Sequence, residues 1–477
     1  MRNRSTPLLN LIIVSGGNFI QLVANILLGF LLPVLLDNWN YGYYKLYTLY
    51  IGYCGLLHFG FVDGILLKYA GMGFEQLDKL QFRAYTKLFF LVESVCTIVT
   101  VALGIFLFRN EYRLIAVFVG MYIVLYTMTL YYQYISQATS RFKEFSFRKV
   151  MNSGAIILFM AVALLLKKSG IWNTVSYWQV MVFTQAIAFG LLGWYIWTYR
   201  DITFGEHVPY KMIIPEMKEL CKKGVVLTVA YEVAQLILQL DRQFVSMFFS
   251  IETYAQYAFA YNILSCITAM VTAISTVMFP LLKKMKKDQA LKTFPNVNLG
   301  MSLLVCLALT GTPVVEMVIK VLLPQYAPSL VYLRIVFPAM ALSCCITIVM
   351  FTYFKVLDSI TEYLKYSLVA LLVSFVLNGV AYVVWKTPEL ISVASVVSTA
   401  IWYALVASKL AQKCQYHWGK NYVYLLMMAM VSYVIFSFVH NWILSICCYV
   451  TVYILITVIM FKHQIRSLWI CRKVNAI

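Results

Sequence analysis

Long apolar runs dominate the chain, and polar residues fall between them in short clusters. The runs lie near 8–36, 41–66, 84–108, 111–137, 149–166, 174–199, 224–249, 254–282, 295–322, 329–354, 364–385, 388–408, 421–438 and 441–461. About 20 apolar residues in a helix cross the hydrocarbon core, where only a helix or a closed barrel satisfies its own backbone. The pattern predicts an all-α, polytopic membrane protein with about fourteen transmembrane helices. Inside several runs the few polar residues recur at spacings of three and four, which puts them on one face of a helix. Asn18, Gln21 and Asn25 form such a stripe in the first run, and Thr228, Glu232, Gln235, Gln239 and Arg242 form one in the seventh.

The two stripes are 214 residues apart. The same offset maps Tyr43 and Tyr47 onto Tyr257 and Tyr261, and Arg141 and Glu144 onto Lys355 and Asp358. Internal repeats are common in transporters. The expected organisation is two pseudo-symmetric six-helix bundles, 1–210 and 211–415, followed by two additional helices in 416–477.

Composition narrows the class. Of 477 residues 62% are hydrophobic and only 12% are charged, against about 25% charged in a soluble domain. A soluble enzyme, a disordered scaffold and a nucleic-acid reader are excluded. The excess of 38 Lys+Arg over 19 Asp+Glu follows topology instead, because basic residues collect in cytoplasmic segments. With the N-terminus inside, the inner segments hold 29 of the 38 basic residues, among them Arg2, Arg4, Arg141, Lys143, Arg148, Lys149, Lys283, Lys284, Lys286, Arg466, Arg472 and Lys473. Both termini are therefore expected in the cytoplasm. The first run lacks a small-x-small cleavage site and reads as a retained span rather than a signal peptide. The eleven cysteines contain no CxxC pair, so neither a disulfide framework nor a zinc site is expected.

Charges within the runs carry the chemistry, since one near the bilayer centre costs about 2.5–3.5 kcal/mol. Glu232 lies eight residues past Gly224, about 12 Å along the axis and close to the midplane. It is either a structural hydrogen-bonding group or a proton site. Arg242, Arg334 and Lys45 either snorkel outwards or form a cationic cavity for a phosphate-bearing ligand, which arginine forks fit well. Asp63, Glu93 and Asp241 are candidates to balance those cations. Glu316 and Lys320, spaced i, i+4, are expected to neutralise each other, and Pro33, Pro313 and Pro338 to kink their helices. The 35 tyrosines fit interfacial belts, with a sugar-stacking surface as the alternative for those that face a cavity. No Walker loop, GxSxG or HExxH occurs, so no ATP-consuming or hydrolytic chemistry is expected.

Several segments resemble the Wzx-type bacterial polysaccharide repeat-unit flippases of O-antigen and capsule synthesis. These are LDRQFVSMFFSIETYAQYAFAYNIL (Leu240–Leu264), QATSRFKEFS (Gln137–Ser146), LLPQYAPSLVYLRI (Leu322–Ile335) and the opening GFLLPVLLDNWNYGYYKLYTLY. The resemblance implies the multidrug/oligosaccharidyl-lipid/polysaccharide exporter fold in a bacterial inner membrane. It implies a polyprenyl-diphosphate-linked oligosaccharide as substrate, membrane lipids around it, and polysaccharide polymerase and chain-length machinery as partners. Polar Asn18, Gln21 and Asn25, where the multidrug branch carries an acid, argue against that branch. No bound cofactor is implied, and coupling to H+, to Na+ or to membrane potential alone stays open. A cation-coupled multidrug exporter and, behind it, a membrane glycan polymerase or ligase are the alternatives.

Overall fold

The computed structural model describes residues 7–170, 175–285, 287–414 and 416–474. Its described elements are helices. In order these are α1 (Pro7–Leu35), α2 (Asn38–Ile51), α3 (Phe61–Tyr69), α4 (Lys79–Leu107), α5 (Asn110–Ala138), α6 (Phe142–Lys168), α7 (Tyr177–Thr198), α8 (Arg200–Thr203), α9 (Tyr210–Phe248) and α10 (Ile251–Lys284). There follow α11 (Lys287–Ala308), α12 (Thr312–Leu322), α13 (Ser329–Val336), α14 (Met340–Cys344), α15 (Phe351–Val356), α16 (Ile360–Trp385), α17 (Pro388–Cys414), α18 (Gly419–Phe438) and α19 (Trp442–Val474).

Eleven of these segments are long and apolar enough to cross a membrane, or thirteen when each of two bent helix pairs is one span. The remaining expected span, 254–282, falls on α10, many of whose side chains lie outside the described residues. So do the N-terminal Arg2 and Arg4 and the side chains of Lys283, Lys284, Lys286, Arg466, Arg472 and Lys473. The protein is a multi-pass membrane protein, all-α as the apolar pattern requires.

Helix starts follow local capping chemistry. The Asp37 carboxylate accepts from the Asn40 amide at 2.7 Å and opens α2. Asp78 accepts from the Leu80 and Gln81 amides at 3.0 and 3.2 Å and opens α4. Ser176 and Gln179 form a capping box on α7. Each satisfies amides that the first helical turn leaves without a partner. The longest polar segment of the sequence, 200–223, is largely helical, and α9 runs 39 residues from Tyr210.

The chain divides into two compact units, one of 1–235 with 246–258 and one of 236–245 with 259–477, the division falling within α9 and α10. In the first unit α4 packs on α5 and α1 on α6. Its core is aromatic: Phe61, Tyr85, Phe89 and Tyr131 meet ring to ring, with Phe61 and Tyr131 stacked at 6.1 Å. Tyr41, Tyr43, Tyr44 and Tyr47 of α2 are buried as well. Tyrosine here fills helix interfaces rather than interfacial belts, which period and composition alone could not distinguish.

The second span is broken. After α2 a 3-10 turn, Cys54–His58, leads to Phe59 (φ 49°) and Gly60 (φ 79°), and α3 leaves at 57° to the preceding segment. Gly60 takes a left-handed conformation that costs other residues about 1–2 kcal/mol. It also lets α3 approach α9 closely: a Cβ on Gly224 would lie 2.0 Å from the Gly60 carbonyl oxygen, and one on Gly64 2.2 Å from that of Leu220. Small residues serve this purpose at membrane helix interfaces. In the second unit α13 and α14 meet at 50° around Pro338, the kink expected there. α11, α17 and α18 are joined by buried amides, Asn421 donating to Ser302 (2.9 Å) and Tyr403 (3.1 Å) and Asn298 to Tyr403 (3.1 Å).

Gly224→Ala places its methyl against backbone with no side chain to yield, so we expect a loss of about 1–3 kcal/mol or more and a lower unfolding temperature in detergent. Gly154→Ala, with nothing within 4 Å of the new methyl, leaves that temperature unchanged. Equal melting of the two variants refutes the close-packed interface.

Candidate functional site

The intramembrane polar residues sort by what they touch. In the first unit the Asp63 carboxylate, at the start of α3, accepts from the Thr228 hydroxyl of α9 and lies 3.8 Å from His58 Nε2. His58 Nδ1 accepts from the Gly60 amide at 3.2 Å, so the break itself orients the imidazole. Glu232, one turn beyond Thr228, is 6% exposed. Its carboxylate lies against Gly55, where a Cβ would be 2.2 Å from Oε1. Glu93 of α4 is 0% exposed and its oxygens accept no hydrogen bond among the described residues. The nearby Thr127 hydroxyl donates to the Ile123 carbonyl instead (2.8 Å). Asp63 and Glu93, expected to balance cations, therefore have neutral or imidazole neighbours.

The candidate cations have different neighbours. Lys45 of α2 lies over the Tyr41 ring at 5.3 Å. In the second unit Arg242 lies over the Tyr261 ring at 4.9 Å. Asp241 accepts from the Tyr261 hydroxyl and, at 2.7 Å, from the Arg242 amide. Acid, phenol and guanidinium thus form one cluster. Arg334 of α13 makes a bidentate pair with Glu316 of α12, Nε to Oε1 at 2.7 Å and Nη2 to Oε2 at 2.6 Å. The expected Glu316–Lys320 pairing gives way to it, because two parallel bonds to a fork hold better than one ammonium. This pair lines a cavity of about 210 Å³ with Lys320, His440 and Trp442. Arg242 is not among the residues that line this cavity.

The polar stripes fare likewise. Gln21 is half-buried and Asn25 exposed on α1, while Gln235 and Gln239 are half-buried on α9. Asn18 has a definite role: it accepts from Lys149 Nζ at 2.5 Å. That bond exposes what sequence reading missed. Arg148 and Lys149, assigned to a cytoplasmic segment, are six and seven residues beyond the first residue of α6, about 9–10 Å along its axis. Both are partly buried. The apolar run begins only at 149, whereas the helix begins at Phe142, so a helical period extended backwards from 149 would have found them.

Arg148 donates to the Gln133 side chain of α5 and lines a cavity of about 130 Å³ within the first unit. α5 contributes Tyr122, Tyr126 and Thr129, α6 Asn152, α2 Tyr44 and α7 Thr184. The Tyr122 and Tyr126 rings stack at 5.8 Å. No acidic residue lines it. No group of three or more His, Cys, Asp or Glu suited to a metal occurs among the described residues.

Residues 8–286, more than half of the chain, match the polysaccharide biosynthesis protein family. The chain belongs to that family. Comparison of this polysaccharide biosynthesis protein with curated proteins gives no match. Its fold is similar to that of the lipid II flippase MurJ in an inward closed conformation. The TM-score is 0.66 at 13% identity, covering 96% of this chain and 100% of that one. An inward-facing multidrug resistance MATE family transporter of the MOP superfamily scores 0.59 at 12% identity, covering 85% and 98%. A MOP superfamily transporter from Pyrococcus furiosus Vc1, described as having a binding pocket of reverse polarity, scores 0.51 at 12% identity, covering 87% and 98%. At such identities the likeness establishes the fold, that of the MOP superfamily.

Removing one partner of a buried ion pair leaves the other uncompensated, a loss of about 3–5 kcal/mol. We therefore expect Arg334→Met and Glu316→Leu each to lower the unfolding temperature, and the double variant to recover most of it. Additive losses in the double variant refute mutual neutralisation.

Proposed function

We propose that the protein is a flippase that moves polyprenyl-diphosphate-linked glycan repeat units from the cytoplasmic to the outer leaflet for cell-surface polysaccharide synthesis. The observation that carries this is membership of a polysaccharide biosynthesis family on a fold shared, over nearly its whole length, with a lipid II flippase. Coverage also favours it over drug export. The multidrug transporter leaves a larger part of the chain uncovered than the lipid II flippase does, a difference about as long as α18 and α19 together.

The physical need is plain. A diphosphate bearing a hydrophilic glycan cannot cross about 30 Å of hydrocarbon unaided. A wet, basic interior shields the head group while the polyprenyl tail stays in lipid, and alternating access exposes that interior to each side in turn. With the cell interior negative, each negative charge moved outwards gains about 2.3 kcal/mol per 100 mV, so membrane potential alone can drive the cycle. Lipid-linked glycan, membrane lipids and the polymerase and chain-length machinery are the partners on this reading, in a bacterial inner membrane with both termini cytoplasmic. A cation-coupled exporter of amphipathic compounds is the second reading, favoured by buried Asp63 and Glu232, which pair with no lysine or arginine among the described residues.

Deletion of the gene is expected to abolish the surface glycan and accumulate its lipid-linked precursor facing the cytoplasm. Normal surface glycan in the deletion strain refutes the proposal. In liposomes, flipping should accelerate severalfold under an imposed potential that is negative on the side of departure, and indifference to voltage removes the energetic argument. Proton-driven efflux of cationic drugs that Glu232→Gln abolishes would instead establish the second reading.

A further inference from the structure

Arg148, Arg242 and Arg334, each partly buried, have different electrostatic fates. Arg334 is neutralised by Glu316, and Arg242 sits in a cluster that contains Asp241. Among the described residues Arg148 has a neutral partner only, the Gln133 amide oxygen. Its Nε finds no acceptor among the described residues. Glu144, one turn earlier on α6 and the natural i, i+4 counter-ion, pairs with Arg141 instead, at 3.4 Å. A guanidinium partly withdrawn from water with no carboxylate is costly unless a mobile anion completes it.

The cavity beside it is built to receive one. Thr129 is among the lining residues and is 5% exposed, and its hydroxyl has no hydrogen-bond partner among the described residues. Thr127, two residues before it, satisfies its hydroxyl on the carbonyl four residues back; Thr129 does not. An unmade bond at a buried hydroxyl costs about 1–3 kcal/mol. Asn152 adds an amide from the turn of α6 that follows Arg148, and the stacked Tyr122 and Tyr126 form a flat wall. Size decides how much of a ligand enters. About 130 Å³ has room for several waters, enough for a phosphoryl group.

We propose that this cavity in the first unit is a binding site for one phosphoryl group, held by the Arg148 fork with Thr129 and Asn152. On the flippase reading, on which this assignment of the ligand rests, the group belongs to the diphosphate of the lipid-linked glycan. The head group is then recognised by α5 and α6 rather than by Arg334, whose charge Glu316 already neutralises.

The test uses the full-length protein purified in detergent, with inorganic diphosphate and farnesyl diphosphate as probes in calorimetric titrations. Wild type should bind, and Arg148→Gln should bind about 10–100-fold more weakly, the range expected for a hydrogen bond to a charged group. Arg148→Lys, which keeps the charge and loses the fork, should fall between them, and Thr129→Val should weaken binding severalfold. Preference for farnesyl over inorganic diphosphate marks a lipid-borne source, and equal affinity marks the free anion; either supports the site. If Arg148→Gln does not fold as wild type does, Thr129→Val decides. No binding of either probe by wild type, or unchanged binding in folded Arg148→Gln and Thr129→Val, overturns the proposal. Flipping of lipid-linked glycan in liposomes by the same preparations separates the two readings. Arg148-dependent binding with no flipping overturns the flippase and keeps the site, whereas flipping that is identical in wild type and Arg148→Gln overturns the site and keeps the flippase.

Discussion

Every charge taken into the bilayer needs an answer within a few ångströms, and that requirement organises this molecule. Each answer is a different device. Arg334 and Glu316 use two parallel hydrogen bonds. Asp241, Tyr261 and Arg242 use a phenol between acid and base, with the ring face under the guanidinium. Asp63 uses a threonine hydroxyl and an imidazole oriented by a backbone amide. Lys149 uses the Asn18 carbonyl and the Phe145 ring, 4.7 Å away. Where the answer is another charge, the pair is structural. Where it is an amide, as at Arg148 and Lys149, no carboxylate offsets the charge among the described residues.

Glycine makes the acid cluster geometrically feasible. Gly55 leaves room for the Glu232 carboxylate, and Gly60, Gly64 and Gly224 bring α3 and α9 to backbone contact. A straight second span would carry Asp63 away on a continuous helix. The break turns α3 by 57° and sets its first turn against Thr228. Local backbone freedom at two residues, Phe59 and Gly60, thus fixes which polar groups meet.

The apolar pattern made the helices legible because the bilayer imposes their length. It could not reveal the break at Phe59–Gly60, since a left-handed residue leaves hydropathy untouched, whereas Pro338 announced its bend by removing an amide. Charges near span ends were the least legible. Arg148 and Lys149 sit in a polar stretch by sequence, yet nearly two turns of α6 precede them. α5 ends with Ser140 left-handed (φ 58°) and the Arg141 amide bonded to Ser136 at 2.8 Å; α15 ends with Asp358 left-handed (φ 54°) and the Ser359 amide bonded to Phe354 at 2.9 Å. Both are the six-to-one closure of a Schellman cap. The residues differ and the two closures lie 218 residues apart, so the 214-residue offset read from the sequence does not relate them.

The distribution of answered and unanswered charge bears on how a flippase of this kind would cycle. A carrier whose cations were all paired internally would gain little from a diphosphate, and the ligand would pay its full desolvation on entry. A carrier with many unpaired cations would hold the diphosphate too tightly to release it. One unanswered guanidinium with a neutral amide beside it lies between these limits: the loaded site is nearer to electrical neutrality than the empty one, while Gln133 keeps the empty state tolerable. The remaining negative charge of the diphosphate then travels with the field, and the emptied, positive site returns with it. Both halves of such a cycle run downhill in an inside-negative membrane, provided the unpaired cation resides on the part that moves.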